Sequence, residues 1–222
     1  VYSKSELKEL SKVILSHKNL WVLTDDIYEH LVYDGCEFFN VLNVEPKLYE
    51  RIFIVNGVSK AYSMTGWRIG YGAGSEKIIQ GISKIQSQST TNPSSISQMA
   101  AIKALTEKKI FLKDWIKQFS KRRNFVVDFF NGIEGLSCIR PQGAFYVFVS
   151  CEGFINKVKP DNKKITSDIE FAEFLLDYAG VAVVPGCAFG KSPYFRISYA
   201  ASMELLSIAC KKIEKATSLL RK

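Results

Sequence analysis

The apolar run Ile52-Phe53-Ile54-Val55 ends in Asn56-Gly57-Val58-Ser59 and then in a lysine, Lys60, with an arginine, Arg68, eight residues further on. The run reads as a strand that closes in a glycine-serine turn and presents one lysine. That is a poor way to build only a core and a natural way to build a chemical site. Gly57 lets backbone approach a bound group closely, because glycine has no side chain to obstruct it. Lys60 can form an imine from such a turn. A lysine amine with an ordinary pKa of ~10.4 is protonated at neutral pH, so imine chemistry calls for burial or a cationic neighbour. Arg68 is placed to be that neighbour while holding a phosphate. The plainer alternative is a surface lysine and arginine flanking a buried strand.

A second apolar run, Leu20-Trp21-Val22-Leu23-Thr24, is of the buried parallel type, and its carboxyl end carries Asp25-Asp26-Ile27-Tyr28-Glu29. In open α/β sheets ligands bind at that end of the strands. The three-residue spacing puts the Asp25 carboxylate and the Tyr28 phenol on one side of the turn. Taken alone, such residues are more often helix caps or solubilising turn residues. Asp26 is a weaker candidate beside them. Much later, Tyr194-Phe195-Arg196-Ile197-Ser198 sets an arginine into an apolar strand. Burying it is costly without an anionic partner, so its surroundings are expected to supply one. The alternative is an edge-strand arginine reaching solvent.

Between these landmarks helices and strands alternate. Ser3 and Glu6 form a capping box ahead of Leu7, Leu10, Val13 and Ile14 at helical spacing. Residues 34–50 read as loop and residues 67–73 as a further strand. Ser75 is placed to cap a helix whose Ile78, Ile79, Ile82 and Ile85 face the core. Residues 87–95 are a polar loop in which Pro93 disfavours helix at Asn92. A long amphipathic stretch carries Trp115, Phe119, Val126, Phe129, Phe130 and Ile133 and ends near Gly135. A strand follows at 145–149, then a lysine-rich loop over 153–166. Ser167 and Glu170 make a second capping box for a helix stopped by Gly180, and a last helix begins near Ser202. The expected organisation is residues 1–106, a connecting helix over 107–134, and a smaller α+β unit over 135–222.

Composition excludes several classes. At 222 residues, 47% hydrophobic and 23% charged, the chain can bury a real core. No apolar run approaches the ~18 to 20 residues that span a bilayer, and the start is not signal-like, so no membrane association and a cytoplasmic location are expected. The five cysteines are widely spaced without a Cys-x-x-Cys pair and read as reduced thiols; no metal site is expected. His17 and His30 read as bystanders. The net charge of +8 is spread along the chain, with clusters at 121–123 and 157–164. It reads as a solvated basic face rather than a nucleic-acid groove, and it suits an anionic cofactor and anionic substrates.

The stretch from Gly57 through Lys60 and Met64-Thr65-Gly66-Trp67-Arg68 to Gly70 resembles the pyridoxal-phosphate lysine motif of class I aminotransferases, its wording similar to the bacterial aspartate branch. Asp25-x-x-Tyr28, the polar stretch 87–95, the phrase from Val183-Val184-Pro185-Gly186 to Phe189-Gly190, and the Arg196 strand resemble further parts of that family. The resemblance implies a fold-type-I α/β architecture: part of a large domain, with a mostly parallel sheet and helices, and a C-terminal α+β small domain. It implies pyridoxal 5'-phosphate as cofactor, Lys60 as its Schiff-base lysine, Asp25 on the pyridine nitrogen, Tyr28 on the ring's 3-oxygen and Arg68 on the phosphate. Arg196 becomes the grip on the substrate α-carboxylate.

The implied activity is transamination between an L-amino acid, first of all aspartate, and 2-oxoglutarate, by a homodimer. Prephenate, aromatic amino acids or alanine are alternatives, as is a non-catalytic regulator that binds the cofactor as a signal. Regulators of that kind carry a DNA-binding module, and none is seen here. The resemblance also implies an upstream segment, with a phosphate-holding turn, a ring-stacking aromatic residue and half of the large sheet. The chain is therefore expected to be part of a longer protein and to be inactive by itself. In some relatives a serine three residues before the lysine contacts the phosphate, where Gly57 offers only backbone.

Overall fold

The computed structural model describes residues 1–221, and the chain divides into two units, Val1–Asp114 and the remainder from Trp115 onward. The first unit opens with α1 (Lys4–Ser16), started by the capping box: Ser3 Oγ accepts from the Glu6 N–H at 3.3 Å, and Glu6 Oε2 accepts from the Ser3 N–H at 2.8 Å. It continues through β1 (Val22–Asp25), the single turn α2 (Val41–Val44), β2 (Ile52–Gly57) and β3 (Gly70–Gly74), then α3 (Glu76–Ser87) and α4 (Ser95–Thr106). The sheet order is β1-β2-β3. β1 and β2 are parallel, with Asp25 opposite Val55, while β3 returns antiparallel, with Gly70 opposite Gly57. β3 begins three residues later than the expected strand because Thr65–Trp67 forms a 3-10 turn and Arg68 takes a left-handed conformation, φ 52°.

The isoleucines of α3 are not core residues. No residue of that helix is buried, and Ile85 is 73% exposed. Their helical period correctly marks one apolar face, but period alone does not say that anything covers it.

α5 (Phe111–Asn131) carries the unit boundary. The second unit then contains β4 (Ser137–Cys138), β5 (Tyr146–Ser150), α6 (Asp168–Phe174), β6 (Val184–Pro185), β7 (Tyr194–Ser198) and α7 (Met203–Thr217). Its sheet runs β4-β5-β7-β6, all pairs antiparallel. One face of that sheet, Val147, Val149, Phe195 and Ile197, is buried against Val126 and Phe130 of α5, Phe171 of α6 and Ile213 of α7. Phe171 stacks on Phe154 at 5.4 Å and tilts against Phe195 at 5.6 Å, so aromatic rings fill the centre of this core. Cys151 and Cys210 lie inside it; burial pushes their thiols up to about 12 and about 11.

Two expectations change here. Ser167 caps α6 through the Glu170 N–H, but the Glu170 carboxylate accepts from the Thr166 N–H at 2.6 Å, one residue before the position a reciprocal box requires. The 121–123 cluster is not a solvated basic face. Arg123 is 1% exposed and donates to the Pro141 carbonyl at 2.9 Å, and Arg122 lies over the Phe119 ring at 5.5 Å. Among the described residues no helix is long and apolar enough to cross a membrane.

The tightest backbone in this unit is at Gly186. A Cβ there would collide with the Lys191 carbonyl oxygen and lie 2.6 Å from Tyr194 Cβ. Gly186→Ala is expected to lower unfolding stability by about 2–3 kcal/mol through overpacking against backbone, whereas Gly66→Ala, with nothing within 4 Å, should stay within about 0.5 kcal/mol. Urea unfolding of the two variants side by side checks this.

Candidate functional site

The carboxyl ends of β1 and β2 carry two neighbouring acids in different situations. The Asp26 N–H donates to the Val55 carbonyl at 2.9 Å, which continues the parallel ladder past Asp25. Asp26 is buried and accepts a short hydrogen bond from Asn40 Nδ2. Asn40 also caps α2, its Oδ1 accepting from the Leu42 N–H at 2.8 Å, so Asp26 ties that turn to the strand end. Burial raises the Asp26 pKa, and the Asn40 bond works against that rise. Asp25 is exposed, and one of its carboxylate oxygens accepts from the Ile27 N–H at 3.3 Å. Asp25 is the acid available to a ligand, and Tyr28 stands half-buried three residues on.

Lys60 and Arg68 hang on the connection between β2 and β3. Lys60 is half-buried, its carbonyl accepting from the Ser63 N–H at 3.2 Å. Arg68 is exposed, donates to the Thr65 carbonyl at 2.8 Å, and lines a cleft of about 760 Å3 with Gly70, Ser83, Ser87 and Thr91 among others. Gly57 differs from the expectation. Its absent side chain makes room for protein rather than ligand: a Cβ would lie 3.1 Å from Ile27 Cδ1, 3.2 Å from the Ile69 oxygen and 3.3 Å from Gly70 Cα. Its N–H is also engaged, donating to Asn56 Oδ1 at 2.7 Å. Asn56 in turn donates from Nδ2 to Glu29 Oε1 at 2.7 Å, which links the turn before Lys60 to the segment after Asp25.

Arg196 lies in the second unit, on the half-exposed face of β7 opposite Phe148. Its guanidinium carbon lies over the rings of both Tyr146 and Phe189, 4.4 Å from each centroid. No carboxylate among the described residues forms an ion pair with Arg196. Two ring faces stabilise the cation instead. Among the described residues no cluster of His, Cys, Asp and Glu is suited to a metal ion.

A sequence model of the family described as "Aminotransferase class I and II" matches residues 1–213. The chain belongs to the class I and II aminotransferases. An aspartate aminotransferase of Rhizobium meliloti is 49% identical over 219 residues, covering 96% of this chain and 53% of the relative. A probable aspartate/prephenate aminotransferase of Rickettsia bellii is 48% identical, covering 97% and 54%. The crystal structure of the Rhizobium meliloti aspartate aminotransferase superposes with a TM-score of 0.95 at 49% identity, covering 99% of this chain and 55% of that one. An aromatic aminotransferase from Pyrococcus horikoshii gives 0.85 at 34%, covering 98% and 56%. The chain spans about half the length of the relatives it matches.

In this aminotransferase chain several side chains that sequence reading passed over surround the Lys60 turn. Asn56 and Glu29 are two. His30 is another, and not a bystander: its Nε2 is 2.9 Å from Lys109 Nζ and 3.5 Å from Glu29 Oε1. Tyr62 packs edge-on to His30 at 6.2 Å, its hydroxyl buried without a hydrogen-bond partner. Apart from the adjacent Glu29–His30 pair, these contacts join residues 27 to 79 positions apart, and no local pattern announces them.

Burial lowers the His30 pKa from its ordinary 6.5; Glu29 pulls it back up and Lys109 lowers it further. Below about pH 6.5 the unfolded chain therefore binds more protons at this position than the folded chain does. Stability carried by neutral His30 is present above that pH and is lost as the pH falls toward the lower folded value. The urea midpoint is expected to drop between about pH 7.5 and about pH 5.5, and His30→Gln to flatten that drop. An unchanged slope in the variant would place the acid sensitivity elsewhere.

Proposed function

We propose that the protein carrying this chain is a pyridoxal-phosphate-dependent aminotransferase that exchanges the amino group of aspartate with 2-oxoglutarate. The observation that carries the reading is the parallel register of β1 and β2. It sets Asp25 and the turn to Lys60 at the same end of neighbouring strands, in a chain whose relatives are named aspartate aminotransferases. The donor set suits pyridoxal phosphate. Lys60 offers an amine for its aldehyde, exposed Asp25 a carboxylate for the proton on its ring nitrogen, Tyr28 a phenol for its 3-oxygen, and Arg68 a guanidinium for its phosphate. Gly57 is not part of that set, because its N–H is already bonded to Asn56.

When bound, the cofactor supplies an electron sink for the substrate Cα. The protein's own contribution is positioning and proton traffic. The Asp25 carboxylate would hold the ring nitrogen's proton by a charge-assisted hydrogen bond, and Tyr28 would donate to the 3-oxygen. The Lys60 amine removes the proton from Cα as general base and returns one as general acid in the reverse half-reaction. Arg196 fixes the α-carboxylate by two parallel N–H donors, which orients the Cα–H bond. The rings of Tyr146 and Phe189, each with its centroid 4.4 Å from the guanidinium carbon, favour the cation there. The protein is expected to act as a homodimer in the cytoplasm. The Rickettsia relative's name favours prephenate as a second substrate.

With the complete protein, aspartate and 2-oxoglutarate are expected to give turnover that Lys60→Ala lowers by about 10²–10⁴-fold or more. A coupled oxaloacetate assay measures it. A Lys60→Ala enzyme with wild-type turnover would remove Lys60 from this role, and a donor panel without preference for dicarboxylic amino acids would remove aspartate as the substrate.

A further inference from the structure

The loop between β6 and β7 has a construction that a mere connection does not need. Its 3-10 turn, Gly186–Phe189, is fastened by one buried carboxylate on α6. Asp168, 1% exposed, accepts the Cys187 N–H on one oxygen at 2.7 Å and the Ser192 hydroxyl on the other at 2.8 Å. The two bonds bracket the loop. Gly186, with no room for a Cβ, closes its other side against Lys191 and Tyr194. What the loop presents is Phe189, which is 47% exposed and so contributes little to the core. Its ring meets Phe148 edge-on at 6.1 Å and has the Arg196 guanidinium carbon 4.4 Å from its centroid, the same distance as from the Tyr146 ring.

A guanidinium presents all its N–H donors in its own plane. Rings lying over the guanidinium leave its in-plane edge as the approach for an anion. A carboxylate is planar and fits into that plane, accepting two parallel N–H bonds. A phosphonate or sulfonate is tetrahedral; when two of its oxygens face the donors, its remaining oxygen and its carbon stand out of the plane, where the rings are. We infer that Phe189 determines specificity at Arg196 for planar carboxylates over tetrahedral anions, and that Asp168 is its positioning residue. This deepens the reading of Arg196 as the carboxylate grip and rests on it.

The test uses the complete protein as purified, with the Nε–Hε resonance of Arg196 followed by nitrogen-edited NMR and assigned through Arg196→Lys. The ligands are L-alanine and its 1-aminoethylphosphonate analogue, so that only the anionic group differs. Wild type is expected to bind the carboxylate at least about tenfold more tightly. Phe189→Ala should weaken carboxylate binding several-fold and close most of the gap, by admitting the phosphonate on the uncovered face. Phe189→Tyr should restore the wild-type ratio. Asp168→Asn, which keeps the side-chain shape but weakens acceptance at one end of the loop, should shift the ratio in the same direction as Phe189→Ala by less.

A Phe189→Ala ratio equal to wild type, whether both affinities hold or fall together, overturns the inference while leaving Arg196 as the carboxylate site. No response of the Arg196 resonance to alanine in wild type overturns both. If Asp168→Asn changes the unfolding midpoint but not the ratio, the positioning role is overturned and Asp168 is structural only.

Discussion

Everything at the Lys60 end of this chain depends on how closely β2 and β3 approach one another. Along that ladder the glycines are a steric requirement. A Cβ at Gly74 would lie 3.0 Å from the Ile52 oxygen and 3.0 Å from the Phe53 ring, and one at Gly72 would run into the end of the same ring. Phe53 thus lies across the glycine positions of β3, which have no side chains to cover that part of the strand. The closeness extends to Gly57 and Gly70, where the strands part. The connection leaving there carries both Lys60 and Arg68, so the ladder fixes where each begins and ends its excursion. Flexibility is the usual association of glycine; here five paired positions, Phe53–Gly57 with Gly74–Gly70, make the glycines the means of pinning both ends of the turn that carries Lys60 and Arg68.

The second unit solves the opposite problem. β7 needs one face for the core and one cation on the other. Strict alternation delivers both, with Phe195 and Ile197 inward and Tyr194 and Arg196 outward. An arginine half-withdrawn from water needs compensation, and an ion pair within the protein would have neutralised it. Aromatic faces stabilise the charge without satisfying its N–H donors. The result is a guanidinium that remains competent to take a carboxylate.

Much of this architecture can be read from the order of residues because its causes are local. The Ser3–Glu6 box, the Gly180 stop with its left-handed φ of 62°, and the strands at β1, β2, β5 and β7 follow from neighbours along the chain. Errors arose where a local signal has two outcomes. Ile82 and Ile85 have the helical period of a buried face whether or not anything lies against it. Glu170 stands at the box spacing yet turns to Thr166. The lysine turn was legible as chemistry because its residue types are concentrated in one stretch. The groups that brace it were not, since Asn56 meets Glu29 and Asp168 meets Ser192 only after folding has brought distant segments together.

Cys187 gives the loop that carries Phe189 a consequence for instrumentation. Thiol reagents react with thiolate, and burial holds Cys138, Cys151 and Cys210 protonated, with pKa values of about 11, about 12 and about 11. Cys187 is exposed, with its backbone N–H anchored on Asp168, while Cys36 and Cys138 are partly accessible. With Cys36 replaced by serine, a maleimide fluorophore would attach two residues from Phe189 without any cysteine being engineered in. The molecule already carries its own optical reporter of that loop.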